Sequence, residues 1–234
     1  MLLAFAVPGA GAAEVPSEWT WTDYGPTLRD VSCASPGHCV AVGQRGMVLR
    51  SVHAGDDGLD WSEVPFEYPE ELDGVACTPS FCLAVSNTRT GSATYTSKVF
   101  RSTDGGATWS AGVALPPAGE AKTRSALSLA CNGAACYAFG PTGGLWRSAD
   151  GGVDWEALTP PPGKAAYTKV ACASAGVCVA TGGDEVGYST LIEGTVTTKV
   201  DLPAKFAKGV AALACDSATR CVAADGLGHY ALLD

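Results

Sequence analysis

Ten cysteines fall into five close pairs along the 234 residues: Cys33/Cys39, Cys77/Cys82, Cys131/Cys136, Cys172/Cys178 and Cys215/Cys221. The first members of successive pairs lie 44, 54, 41 and 43 residues apart. A period of that size marks a solenoid or a propeller. The wording around each pair recurs as well. The second Cys opens CVAVG, CLAVS, CYAFG, CVATG and CVAAD, which places Ala41, Ala84, Ala138, Ala180 and Ala223 at one repeat position. Just before the first Cys, an apolar residue precedes a small one: Val31-Ser32, Val75-Ala76, Leu129-Ala130, Val170-Ala171 and Leu213-Ala214. Such alternation, bounded by Gly and Pro, reads as strands.

Each Cys has one near neighbour inside its own unit, so each pair is expected to form a local bridge. In the chain-entropy view, closing so short a loop contributes roughly 2 kcal/mol. Zinc is the rival reading. Structural zinc gathers two closely spaced Cys or His pairs into one four-ligand site. Five pairs cannot be shared out two by two, and the chain has only three His. Disulfides imply an oxidising compartment.

One unit reads as four strands, A to D. In the first unit these are residues 29–34, 39–43, 47–52 and 60–64, and the cysteines staple the A–B hairpin. The last unit has A, B and a C strand over 229–233, but no D. At the other end, residues 19–24, with Trp19 and Trp21, read as a D strand without an A, B or C. Supplying the missing strand from the N-terminus closes a ring and removes the open edges. The expected fold is therefore all-β: one five-bladed propeller over residues 19–234, with four-stranded antiparallel blades and one A–B hairpin disulfide per blade. The 29 Gly and 14 Pro suit many turns, and 47% apolar residues supply a core. No helical periodicity competes with this reading.

Two units carry Ser102-Thr-Asp104-Gly105-Gly106-Ala-Thr-Trp109 and Ser148-Ala-Asp150-Gly151-Gly152-Val-Asp-Trp155. A degenerate copy runs from Ser51 to Trp61, keeping Gly58. These segments resemble the Asp-box (BNR) repeat of sialidases and related propellers. The resemblance implies a structural role for Ser102, Asp104, Gly106, Trp109, Ser148, Asp150, Gly152 and Trp155, at a C–D turn away from the active face. The carboxylate would accept from backbone N–H groups, the Gly would take positive φ and the Trp would pack between blades. The resemblance stops short of sialidase chemistry. The R-I-P segment is missing, and sialidases have six blades.

Residues 1–13 begin with an apolar stretch and continue into the small residues Ala10, Gly11, Ala12 and Ala13. They read as the remnant of a signal peptide without its basic n-region, so the protein is expected to be secreted. No segment has the length to span a bilayer. A net charge of -9 argues against nucleic acid and anionic membrane surfaces.

In a propeller, the A–B and C–D turns lie on one face, here occupied by bridges and Asp turns. The B–C and D–A loops form the other face, where recognition residues are usually placed. Its longest parts are expected at 64–74, 86–98, 114–126 and 159–167. These and the shorter loops offer Arg45, Tyr68, Arg89, Tyr95, Arg124, Lys164, Tyr167, Tyr188, Phe206 and His229 as binding candidates. Asp30, Asp73, Asp184 and Asp225 are the weak catalytic candidates, and Asp30 and Lys169 are expected to meet as an ion pair. No metal site, cofactor or triad is supported, because His38, His53 and His229 fall in separate turns. The leading expectation is a noncatalytic extracellular module, with a monomer favoured, that binds a glycan or a protein surface. A small glycoside hydrolase with axial carboxylates and an assembly or scaffold factor are the alternatives.

Overall fold

Short alternating segments separated by Gly turns fold into five antiparallel sheets arranged as a five-bladed β-propeller. The computed structural model describes residues 27–52, 61–89, 95–117, 128–140, 144–159, 167–174, 177–182, 188–193, 196–200, 210–217, 220–225, 227 and 229–233. The first blade is β1 (Leu28–Ser35), β2 (His38–Gly43), β3 (Val48–Ser51) and β4 (Trp61–Glu63). The second is β5 (Leu72–Cys77), β6 (Cys82–Arg89), β7 (Tyr95–Ser102) and β8 (Val113–Ala114). The third is β9 (Ser128–Asn132), β10 (Ala135–Phe139), β11 (Leu145–Ser148) and β12 (Glu156–Ala157). The fourth is β13 (Tyr167–Ser174), β14 (Val177–Gly182), β15 (Tyr188–Glu193) and β16 (Val196–Val200). The last has three described strands, β17 (Ala212–Ser217), β18 (Arg220–Ala224) and β19 (Tyr230–Leu233). Within each sheet the strands lie in chain order, and the inner strands β1, β5, β9, β13 and β17 stand side by side in sequence. The expected N-terminal D strand and the presumed leader lie outside the described residues.

The period-2 alternation decides what each blade does with its two faces. Val40, Val42 and Val48 of the first blade pack on Val75, Ala84 and Phe100 of the second. Leu83, Val85 and Val99 of the second pack on Leu129, Ala138 and Trp146 of the third. Tyr137, Phe139 and Leu145 of the third meet Ala180 and Ile192 of the fourth. The core is thus a series of slabs between blades. Each fully buried Val, Leu or Phe contributes about 1.5–3 kcal/mol by leaving water.

All five Cys pairs are bridged as expected: Cys33–Cys39, Cys77–Cys82, Cys131–Cys136, Cys172–Cys178 and Cys215–Cys221. Each bridge joins directly opposed residues of one A–B hairpin, with Cα–Cα separations of 4.0–4.1 Å. Their setting adds to the sequence reading, which placed the bridges on the face of the A–B turns. The second member of every pair, Cys39, Cys82, Cys136, Cys178 and Cys221, is buried, whereas no first member is. The cause is the strand order. The second Cys stands on the B strand, flanked by A and C, while the first stands on the edge strand A. Cys82, Cys136 and Cys178 accordingly join the apolar slabs between blades. Each bridge is thus half staple and half core.

One boundary also differs from the sequence reading. Residues 86–98 are mostly strand, because β6 and β7 stay paired out to Arg89 and Tyr95. Their polar run keeps the ladder because its side chains bond one another: Ser97 donates to Asn87 Oδ1 at 2.5 Å, and Ser86 and Thr88 both donate to Glu70. Tyr167 and Tyr188, expected in loops, instead open β13 and β15, both in register with Gly182.

Candidate functional site

The loop face at the junction of the first two blades gathers several of the candidates. The turn between β2 and β3, Gln44–Gly46, holds Arg45 at φ 59°, the only described non-Gly residue with positive φ. Only a tight turn at Gly46 fits there. A Cβ on Gly46 would come within 2.8 Å of the Tyr68 carbonyl, so the turn sits directly on the loop from β4 to β5. Arg45 is exposed and has no bonding partner among the described residues. Tyr68 is half-buried, its ring 5.3 Å from Phe66 and 5.0 Å from Phe100. It is therefore a wall of the site as much as a contact.

Beside this turn lies a charged network that the sequence reading missed. Lys98 donates to Glu70 at 2.5 Å, and Ser86 and Thr88 donate to the same carboxylate. Burial works against ionising Glu70, but these bonds outweigh it and hold its carboxyl below the usual range. Arg29 bridges Glu71, at 2.6 Å, and Asp73, and Asn87 donates to Asp73 at 2.7 Å. Asp30 stands on β1, the first strand of its blade. Its oxygens accept Val31 N–H at 3.0 Å and Val75 N–H at 2.9 Å, the latter tying the first blade to the second. Burial pushes its carboxyl up, partly countered by those two N–H groups and more weakly by Lys169. Backbone bonds thus take the place of the expected Asp30–Lys169 ion pair.

A second pairing joins two sequence candidates in the last blade. Asp225 is buried and accepts Leu227 N–H at 2.8 Å, His229 N–H at 2.9 Å and a bond with His229 Nδ1 at 2.7 Å. Burial opposes its charge, yet these bonds win and hold the carboxyl below its usual value. The carboxylate thereby closes the β18–β19 turn. Arg89 and Tyr95 are register partners at the end of the β6–β7 ladder. Arg124, Lys164, Asp184 and Phe206 lie outside the described residues. No group of His, Cys, Asp or Glu able to hold a metal occurs among the described residues. No described helix is long and apolar enough to cross a membrane.

On the opposite face, Asp104 and Asp150 are consumed by their own turns. Ser102 donates to Asp104 at 2.8 Å, and Thr108 donates both its N–H, at 2.9 Å, and its hydroxyl, at 2.6 Å. Ser148 and the N–H groups of Val153 and Asp154 serve Asp150 in the same way, at 2.7–3.0 Å. Trp109 and Trp155 each donate to a Gly carbonyl of their own turn at 3.2 Å and pack against the slab shared with the preceding blade. The Gly at the third corner is forced. A Cβ on Gly106 would meet Val40 at 2.6 Å, and one on Gly152 would meet Leu83 at 2.6 Å. Ser51, at the equivalent position of the degenerate copy, buries a hydroxyl that has no partner among the described residues.

No family model and no curated protein matches the chain. Solved structures do. The chain is similar to YCF48 bound to D1 peptide, at 14% identity and TM-score 0.56, over 89% of this chain and 67% of that one. It is similar to the WD40 β-propeller domain of Doa1, at 12% identity and TM-score 0.66, over 91% and 67%. It is also similar to an ancestral GH74 enzyme, at 13% identity and TM-score 0.58, over 88% of this chain and 32% of that one. At these identities the likeness establishes the propeller fold.

Proposed function

We propose that the protein is a secreted, noncatalytic recognition module that holds a protein or peptide partner on the face formed by the B–C and D–A loops, centred on Arg45 and Tyr68. The observation that carries this reading is the contrast on that face. The described carboxylates Asp30, Asp73 and Asp225 are each taken up by backbone or side-chain bonds, whereas the Arg45 guanidinium stands exposed on a strained turn. Carboxylates bound in this way are not a free acid–base pair of the kind glycoside hydrolysis uses. Left-handed non-Gly residues cluster at ligand contacts, where the surroundings hold them against a cost of about 1–3 kcal/mol. A peptide-bound neighbour fits this reading. The likeness to a GH74 enzyme keeps a glycan as the second partner class. The five bridges support an extracytoplasmic setting, and the two S-x-D-G-G turns are read as Asp-boxes that serve stability.

The test is binding of the bridged protein to arrays of extracellular peptides and of glycans, repeated with Arg45→Gly. That variant suits the φ of the turn and removes the Arg side chain. A loss of tenfold or more in the affinity of whatever binds, at unchanged thermal stability, supports the site. Unchanged binding moves the site elsewhere. Release of reducing ends from a polysaccharide would overturn the noncatalytic reading.

A further inference from the structure

The second blade departs from its fellows on the loop face. The B–C ladder holds four pairs in the first blade, Cys39–Ser51 to Val42–Val48, and four in the third, Cys136–Ser148 to Phe139–Leu145. In the second blade it runs on through four more, from Ser86–Lys98 to Arg89–Tyr95. At roughly 3.4 Å per residue, this hairpin stands about 14 Å beyond the level at which its neighbours turn. Its face toward the first blade is fixed by Ala84 and Phe100, which pack on Val40, Val42 and Val48. Period-2 alternation puts Ser86, Thr88, Thr96 and Lys98 on that same face. Three of these four bond Glu70, on the loop from β4 to β5, and Gly46 of the Arg45 turn sits on Tyr68 of the same loop. The loop is thus the floor of a cleft, with the Arg45 turn as one wall and the hairpin as the other.

The bonding capacity left in this cleft is one-sided. Glu70 already accepts from Ser86, Thr88 and Lys98, and the Lys98 ammonium matches its charge. Lys98 is half-exposed and spends one of its three donors on that bond. The hydroxyls of Tyr68 and Thr96 have no partner among the described residues. Arg45 adds five N–H donors and a positive charge with no ion-pair partner among the described residues, in a chain of net charge -9. Building on the recognition role proposed above, we infer that the cleft selects its peptide by a carboxylate, which Arg45 grips through two N–H groups while Lys98 faces it from the hairpin. Guanidinium and carboxylate match in shape, and such charged bonds are roughly twice as strong as neutral ones. An Asp or Glu side chain and a free C-terminus both supply the group. A basic segment would instead compete with Lys98 for Glu70.

Selection of random dodecapeptides on the bridged protein tests this. One library has free C-termini and the other amidated ones, so the two arms separate a terminal carboxylate from a side-chain one. Binders are expected to carry Asp or Glu at a fixed position in both libraries, or to come from the free library alone. Replacing that carboxylate by its amide should weaken a selected peptide about tenfold, and the difference should shrink as salt rises. Arg45→Gly should reduce the acid-to-amide ratio below about twofold, Lys98→Met should lower it, and Arg45→Lys should keep part of it. A merely structural role would weaken acid and amide peptides alike and leave their ratio unchanged, which overturns the inference. Binders that need Arg45 but show no preference for a carboxylate also overturn it, while leaving the recognition role standing. Two libraries without a binder overturn both. Arg45 loses no described bond on substitution, so Arg45→Gly decides the matter should Lys98→Met fail to fold.

Discussion

Arg101 of the second blade donates its Nε–H to the carbonyl of Gly151 in the third, at 2.9 Å, and Arg50 of the first reaches Gly105 of the second at the same distance. Each C strand thus pins the tight turn of the next blade, and the Arg101 guanidinium also lies 5.2 Å from the Phe81 ring centroid. Arg147 occupies the same register position in the third blade. Its NH1 goes to Glu156 at 2.8 Å, within its own blade, and its buried Nε has no partner among the described residues.

Arg101→Ala is therefore expected to destabilise by about 1.5–3 kcal/mol, the range for a bond from a charged donor. Arg147→Ala should cost less, about 1 kcal/mol, because it loses a half-exposed pair with Glu156 and a bond to Tyr137 but none to the next blade. Urea unfolding of the bridged protein measures both. Equal costs would mean that the inter-blade bond adds nothing.

Asp104→Asn should destabilise by about 1 kcal/mol, since the amide keeps the shape of the turn but loses the charge its donors face. The pH dependence has a fixed sign. Burial opposes the charge, but the Thr108 and Ser102 bonds together outweigh it and hold the Asp104 carboxyl down at about 2, below its ordinary 3.8. Its contribution is thus fully present above pH 3.8 and lost as pH falls toward 2. The gap between wild type and Asp104→Asn in thermal unfolding should hold steady at neutral pH and narrow across that acid window. A gap that widens on acidification contradicts the assignment. Neither Asp104→Ala nor Asp150→Ala should impair ligand binding in folded protein, because both residues lie on the face opposite Arg45.

Asp225→Ala should speed exchange of the Leu227 and His229 amides by tenfold or more, because both donate to that carboxylate. His229→Ala should change them far less, as the two backbone bonds survive it. Asp225 sits below its usual pKa, so its hold on the turn persists at neutral pH and is lost on acidification. Equal effects of the two substitutions would show that the ring, and not the backbone, organises the turn.

Peptide mapping without reduction should yield only the pairs 33–39, 77–82, 131–136, 172–178 and 215–221. A fragment linking two blades would contradict the fold.

The blade count and bridges were legible because they repeat. Each Cys pair sits between an apolar-small dipeptide and an Ala-bearing strand, and five copies of a weak pattern make a strong one. The inter-blade arginines repeat too, in Leu49-Arg50-Ser51, Phe100-Arg101-Ser102 and Trp146-Arg147-Ser148. An Arg on a strand reads as a solvated surface residue, however, until the register shows which carbonyl it faces. The Glu70 and Asp73 network stayed hidden for a related reason. Ser86, Asn87, Thr88 and Ser97 look like a polar loop in isolation, and only bonds to one another, to Asp73 of β5 and to Glu70 on the loop before it hold them in the ladder. The burial of Cys39, Cys82, Cys136, Cys178 and Cys221 was equally out of reach, since spacing shows that two cysteines meet but not which of them is covered. Strand order and bridges can be read along the chain, whereas bonds between blades, such as Arg101 to Gly151, need the ring.

Every bridge closes within one hairpin, so the covalent graph of the described chain is a string of beads with no clasp between them. Pulled from its two ends, such a ring has nothing but noncovalent slabs to resist separation. It should shed whole blades in a staircase of nearly equal extensions. Each bridge withholds only five or six residues from the lengthening chain, roughly 2 nm of contour. Reducing agent should therefore add a small fixed increment to every step while leaving the number of steps unchanged.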